Sequence, residues 1–223
     1  MSPILQNQEH LEKLYNYQQR IVAILLEVLN NQHYLKLNAA SMVNSNGIAH
    51  SVSPDRRIHI FCIDEKTGGS FRSNISIIHV LDKAYCTAQI MPDNYVAYYY
   101  DAIYEPAPFT YLAMGGVTSC NTCLSEKALE FYTNEKNEIV FQEVVSFDCR
   151  YNFLEKFSYN DTTKVISYRY GNRTDDTMFG DGSGNRKEAG NQAMMTYQSG
   201  EYTWRNGKFR ETQKCWSQEP AEW

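Results

Sequence analysis

The spacing of apolar positions changes once along the chain. Over residues 9–32, Leu11, Leu14, Tyr15, Ile21, Val22, Leu25, Val28 and Leu29 recur at helical intervals, while Glu12, Lys13, Gln19, Arg20 and Glu27 take the other side. The pattern predicts one amphipathic helix that lays its apolar stripe on a sheet. A membrane-surface role fits less well, because the polar side lacks basic residues. After Asn30-Asn-Gln the period becomes two and stays there. Strands are expected over 58–63, 75–81, 84–90, 95–104, 109–114, 128–132, 139–145, 151–159, 165–170, 201–204 and 208–215, all rich in β-branched and aromatic residues.

Turn chemistry separates these segments: Ser53-Pro-Asp, Lys66-Thr-Gly-Gly, Met91-Pro-Asp-Asn, Glu105-Pro-Ala-Pro, Asn134-Glu-Lys-Asn, Asn160-Asp-Thr-Thr and Arg205-Asn-Gly. The last is the sharpest signal, since Asn-Gly supplies the two positive φ angles of a type I′ hairpin turn. The expected fold is mainly β: an antiparallel meander, sandwich or open barrel with an N-terminal α-helix packed on it. The organisation expected is a helical segment, 1–35, followed by one compact β domain, 36–223. Arg173–Gln192 is polar and glycine-rich and reads as a long loop. Asp181, Ser183 and Asn185 imitate the opening of a calcium loop, but Arg186 replaces the required glycine and Gln192 the closing glutamate.

Composition narrows the function classes. In 223 residues, 21 Lys+Arg face 26 Asp+Glu, a formal net charge of −5, and no basic run is present. Nucleic acid is therefore not the expected partner. The longest apolar stretch, Ile21–Leu29, is interrupted by Glu27 and is far below the ~20 residues of a membrane span. With 43% hydrophobic and 13% aromatic residues the chain has the composition of a folded domain.

Six cysteines, Cys62, Cys86, Cys120, Cys123, Cys149 and Cys215, lie in or beside strand-like segments. An even count is what an oxidising compartment permits. Strand logic places Cys62 beside Cys86, lets Cys149 and Cys215 staple the C-terminal strands, and closes a tight loop with Cys120 and Cys123. That last pair forms a Cys-x-x-Cys, for which metal and redox readings also exist. A second such pair, a histidine partner set or a βαβ context is missing, so a structural disulfide is the expectation. No leader is visible after Met1-Ser-Pro, and a periplasmic or secreted protein whose signal has been removed is expected, with a cytoplasmic chain as the alternative. Asn74, Asn160 and Asn172 open glycosylation sequons, a tripeptide common by chance.

Several segments taken together resemble exported proteins of unknown function from Bacteroidetes. They are Ser51-Val-Ser-Pro-Asp-Arg-Arg-Ile-His-Ile-Phe, the Thr-Gly-Gly turn at 67–69, Phe109-Thr-Tyr-Leu-Ala-Met-Gly-Gly-Val, the hairpin from Ala128 to Val140, and Gly200-Glu-Tyr-Thr-Trp-Arg-Asn-Gly-Lys-Phe. The similarity spans about residues 45–212 and implies a fold rather than a chemistry. Cys62 and the Arg173–Gln192 loop depart from it. Separately, Ser199-Gly-Glu-Tyr202 is similar to the Ser-Gly-x-Tyr loop of periplasmic inhibitors of invertebrate-type lysozyme. That resemblance implies a loop whose hydroxyls meet the carboxylates of a lysozyme cleft.

No assembled catalytic signature is present. The five histidines, His10, His33, His50, His59 and His79, include two that alternate with apolar residues in predicted strands. Met114-Gly-Gly-Val-Thr-Ser opens no phosphate-binding helix, and Asp64-Glu65 and Asp175-Asp176 sit in turns. The 17 tyrosines are the more informative feature. Tyr95, Tyr98, Tyr99, Tyr100 and Tyr104 crowd one segment, and Tyr168 and Tyr170 another. Alternation sends some into the core and leaves others to form contact surface. The expected function is a non-catalytic, extracytoplasmic binding or inhibitory protein for a protein or glycan partner, with Ser199, Gly200, Tyr202, Tyr98 and Tyr100 as binding residues. No metal and no cofactor are expected. The alternatives are a hydrolase with a site of scattered Asp, Glu and His, and an immunity-type protein that neutralises a toxin.

Overall fold

The computed structural model describes residues 3–31, 48–64, 74–82, 86–92, 99–119, 123–134, 138–147, 152–172 and 194–220. One helix, α1 (Pro3–Leu29), precedes twelve strands: β1 (Ile48–Val52), β2 (Ile58–Asp64), β3 (Asn74–Leu81), β4 (Cys86–Ile90), β5 (Tyr99–Ala107), β6 (Thr110–Ser119), β7 (Cys123–Thr133), β8 (Ile139–Phe147), β9 (Asn152–Asn160), β10 (Val165–Asn172), β11 (Met194–Arg205) and β12 (Lys208–Pro220). They form three four-stranded antiparallel meanders in chain order: a first sheet of β1–β4, a middle sheet of β5–β8 and a last sheet of β9–β12. No barrel closes.

The sheets stack, and side-chain alternation along β6 shows how. Tyr111 and Ala113 pack with Ile58, Ile60, Ile78 and Val80 of the first sheet. Leu112 and Met114, pointing the opposite way, pack with Ile166 and Phe209 of the last sheet. All four are buried, so β6 carries a continuous apolar run where the outer strands alternate. The middle sheet is thus the core layer, each large side chain on it contributing about 1.5–3 kcal/mol on burial.

The helix covers the free face of the first sheet. Val22, Leu25, Leu26 and Leu29, spaced i, i+3, i+4 and i+7, meet Phe61, Ile63, Ile77 and Ala88. Its end is set by Asn30. The Asn30 Nδ2 donates to the Leu26 carbonyl (2.9 Å) and the Ala88 carbonyl (3.1 Å), and Oδ1 accepts from the Ala88 N–H (2.8 Å). The side-chain amide therefore pairs with edge strand β4 as another strand residue would.

Polar ties join the layers. In the β1–β2 turn, Asp55 accepts from Ser53 Oγ (2.5 Å), the Arg57 N–H (3.0 Å) and, across the interface, Tyr111 Oη (2.8 Å). Burial pushes the Asp55 carboxyl up, but these bonds hold it below its ordinary value. Arg57 pairs with Asp82 and lies 4.4 Å over the Phe109 ring. Between the middle and last sheets, buried Glu130 accepts from the Phe209 N–H (3.3 Å).

The structure departs from expectation in definable places. The helix runs from 3 to 29 rather than 9 to 32. β1 is an additional strand, and β5 runs through Pro106 to Ala107 because a bulge between Tyr104 and Ala107 accommodates the proline. The Asn206-Gly207 turn has the expected positive φ angles, 52° and 79°.

The disulfide pairing of Cys62 with Cys86 is overturned, because β3 lies between their strands. Cys62 is opposite Ser76 and Cys86 opposite Leu81, five positions further along β3. At ~3.4 Å per residue that offset alone is roughly 17 Å, against the ~7 Å limit for bridged Cα atoms. Cys215 likewise forms no disulfide and is exposed on β12. Cys120 and Cys149, and the side chain of Cys123, lie outside the described residues. Burial pushes the Cys62 thiol up, and Ser76 Oγ donates to its sulfur at 3.6 Å. Alkylation of the native protein should therefore label Cys215 and Cys86 rapidly and Cys62 only on unfolding. A peptide cross-linked through Cys62 and Cys86 in the mass spectrum would refute the assignment.

Candidate functional site

The last sheet carries an aromatic and polar network on the face it turns to the middle sheet, buried at Tyr168 and Gln198. The network is exposed at its outer edge, where Glu211, Lys214 and Trp216 stand in solvent, and a single bulge completes that exposed edge. The Asn206-Gly207 turn pairs Trp204 with Phe209 and Tyr202 with Glu211. Between Glu201 and Tyr202 the register shifts, so Thr212 and Gln213 both turn to the far face. Beyond the bulge, Lys214 faces Gly200 and Trp216 faces Gln198. Without the extra residue, every later side chain of β12 would project the other way. The bulge thus brings Lys214 and Trp216 to the face that already carries Glu211, Tyr202, Gln198, Tyr168 and Tyr170.

These side chains form a connected network. Tyr168 reaches from β10 across Gly200 to donate to Glu211 Oε1 on β12 (2.9 Å). Gln198 Nε2 donates to Tyr168 Oη (3.1 Å), and Tyr170 Oη donates to Gln198 Oε1 (2.6 Å). The Tyr168 ring lies 6.0 Å from Tyr170 and 5.9 Å from Tyr202, and Phe147 of β8 closes the inner end against both Tyr168 (5.3 Å) and Tyr170 (5.1 Å). Burial, with the Glu211 carboxylate beside it, pushes the Tyr168 phenol up to about 12, opposed only by the bond from Gln198. Burial and then Glu211 also raise Tyr170 and Tyr202. All three phenols stay protonated at neutral pH, and those of Tyr168 and Tyr170 act as donors. At the outer end Trp216 is 56% exposed, with Lys214 Nζ 5.9 Å from its ring centroid.

The predicted binding residues distribute unevenly over this geometry. Gly200 and Tyr202 belong to the network. Ser199, one residue along, points to the opposite face, opposite Arg169 and Cys215. The Ser-Gly-x-Tyr segment is not a loop: it lies in β11, paired with β10 on one side and β12 on the other. Tyr100 is 2% exposed in the core between first and middle sheets, so it is a packing residue and not a contact residue. Tyr98 and the Arg173–Gln192 segment lie outside the described residues. Trp216, Lys214, Glu211 and Gln198 escaped the sequence reading. The hairpin register points to Glu211, but the bulge that reorients Trp216 leaves no mark in the sequence.

No family model, curated protein or solved structure matches this chain. The face must be read from its own chemistry. Flat aromatic rings flanked by an amide, a carboxylate, phenols and an ammonium recognise partners by stacking and hydrogen bonding. Among the described residues no group of three His, Cys, Asp or Glu is placed to hold a metal ion. None of His50, His59 and His79 joins the face; they lie ring against ring in the first sheet. On the middle sheet, burial and then the nearby Asp101 raise the Glu126 carboxyl.

Proposed function

We propose that the chain is a non-catalytic recognition protein that binds a protein or glycan through the tyrosine–tryptophan face of its last sheet. The observation that carries this reading is Trp216, a large ring left open on the edge strand beside Lys214 and Glu211 and continuous with the ordered tyrosine network. Tyrosine and tryptophan give large contact area at low entropic cost, and the buried Tyr168–Gln198 pair fixes the half-buried Tyr202 and the strand that carries Trp216 before a partner arrives. No described helix is long and apolar enough to cross a membrane. We place the protein outside the cytoplasm, periplasmic or secreted, on its resemblance to exported chains. Of the expected cysteine pairs, Cys62–Cys86 and Cys149–Cys215 no longer support that placement, because Cys62, Cys86 and Cys215 form no disulfide. An inhibitory role remains compatible, but through this face and not through an inserted Ser-Gly-x-Tyr loop. The hydrolase reading has one observation in its favour, two carboxyls of the middle sheet, Asp101 and Glu126, both raised by burial, with Asp101 also raising Glu126.

The test is capture of the partner from native envelope extract on immobilised protein, followed by affinity measurements with variants. Trp216→Ala and Tyr202→Ala are expected to weaken binding by roughly ten-fold or more each, the range of a central aromatic contact. Ser199→Ala should bind as the parent does. Equal affinities for all three variants and the parent would exclude this face, and turnover of the captured partner would replace recognition by catalysis.

A further inference from the structure

Under the C-terminal half of α1, three imidazoles from three neighbouring strands lie in one row. His59 and His79 are direct cross-strand partners, and His50 is opposite Phe61, one step along the same face. The His50 and His59 rings stack at 5.2 Å, the His59 and His79 rings lie tilted by 46° at 5.9 Å, and His50 stacks on Phe61 at 4.5 Å. Phe61 belongs to the cluster that receives the helix. His79 is 6% exposed, holds a hydrogen bond to the backbone of Leu29 on α1, and sits opposite Ala88, where Asn30 anchors the helix end.

The hydrogen bonds fix where protons sit. The Arg56 carbonyl can only accept, so His59 Nε2 (3.2 Å away) carries a hydrogen. In the neutral ring His59 Nδ1 is then the acceptor for His50 Nε2–H at 3.0 Å. A proton added at His59 Nδ1 removes that acceptor. On His79, Nε2 is buried with no hydrogen-bond partner, so a proton added there is a charge without an acceptor beside two other rings.

We infer that the His50–His59–His79 row is an acid-sensitive latch for α1, holding the helix on the first sheet when the rings are neutral and releasing its C-terminal half when they are protonated. The charges bearing on the rings are one another's and that of Asp55, whose carboxylate favours a proton on His59 alone. From α1 comes the Leu29 backbone, Glu27 being exposed, and from β4 Ala88, which does not titrate. Burial, then the charge of neighbouring rings, holds His50 and His79 down at about 4 against an ordinary 6.5. Both shifts are downward, so the released state, with its rings back in water, binds more protons between those values. Docking is therefore complete above pH 6.5 and is lost as pH falls toward 4.

Hydrogen exchange on the full chain tests this. With rates corrected for the chemical effect of pH, amides of residues 22–29 should lose roughly ten-fold or more protection between pH 7.5 and pH 5. Amides of β10 and β11 should not. In the variant His50→Phe/His79→Leu the helix should stay equally protected at both values. Undiminished wild-type protection at pH 5, or the same loss in the variant, would overturn the latch. If the variant does not fold, ring-proton titration of the wild type decides: midpoints far below 6.5 for His50 and His79 support it, and midpoints near 6.5 overturn it.

Discussion

Gly200→Ala is expected to destabilise the protein by about 2–4 kcal/mol and to weaken partner binding as well. A Cβ at this position would fall 2.6 Å from Tyr168 Cζ, closer still to its hydroxyl oxygen, and 2.5 Å from the Gln213 carbonyl oxygen. The backbone conformation of Gly200 is not the obstacle; the crossing tyrosine is. If Tyr168 swings away, its bonds with Glu211 and Gln198 break together. If it stays, β12 must move off β11 at the point where the bulge sets the face of Trp216. Either response disturbs the recognition face, so stability and affinity should fall in the same variant. Urea unfolding of Gly200→Ala, Tyr168→Ala and the double variant resolves the cause. The two losses should fail to add, with a coupling of about 1 kcal/mol or more, because removing the ring removes half of the clash. A Gly200→Ala protein within ~0.5 kcal/mol of the parent would show that the glycine is incidental and that the network is loosely held.

The same glycine shows where the sequence can mislead. By its resemblance Ser199-Gly-Glu-Tyr202 reads as a loop, and a strand was expected only from Glu201, yet β11 begins at Met194. The reason for the glycine lies 32 positions earlier, in Tyr168, and no local pattern contains it. The antiparallel hairpins were legible where a connection carries its own turn residues: Asn206-Gly207 with two positive φ angles, and Asn160 accepting from Thr162 and Thr163. The stacking of the sheets was half legible. The unbroken run Tyr111-Leu-Ala-Met marks a strand buried on both faces, but it does not say which residues cover either side. Cys62 and Cys86 looked adjacent because their segments follow closely in sequence, whereas a meander separates alternate strands by one whole strand. Tyr100 and Tyr202 looked alike for the same kind of reason: alternation states that faces differ, and only packing states which face is inside.

Gly115→Ala should be the most damaging small substitution in the described chain, costing about 4 kcal/mol or abolishing folding. Gly115 is paired with Tyr100 in the middle sheet, beside the bulge that leaves Asp101 outside the ladder. A Cβ here would lie 2.7 Å from Tyr100 Cα and 2.8 Å from the Tyr99 carbonyl carbon, and nearer yet to its oxygen. Every one of these atoms is backbone, so no rotamer can yield and β5 itself must lift from β6. Tyr100 would rise with it out of the core shared by the first and middle sheets, and the bond from Ser51 Oγ to the Tyr100 carbonyl would go. The contrast with Gly207→Ala isolates the mechanism. Gly207 has φ 79° and nothing within 4 Å of a built Cβ, so alanine there meets only backbone strain, worth about 1 kcal/mol. Unfolding midpoints for the two variants should therefore differ widely. If they coincide, β5 and β6 are not in the close approach that locks the middle sheet together. The layer on which both outer sheets rest would then be softer than its burial implies.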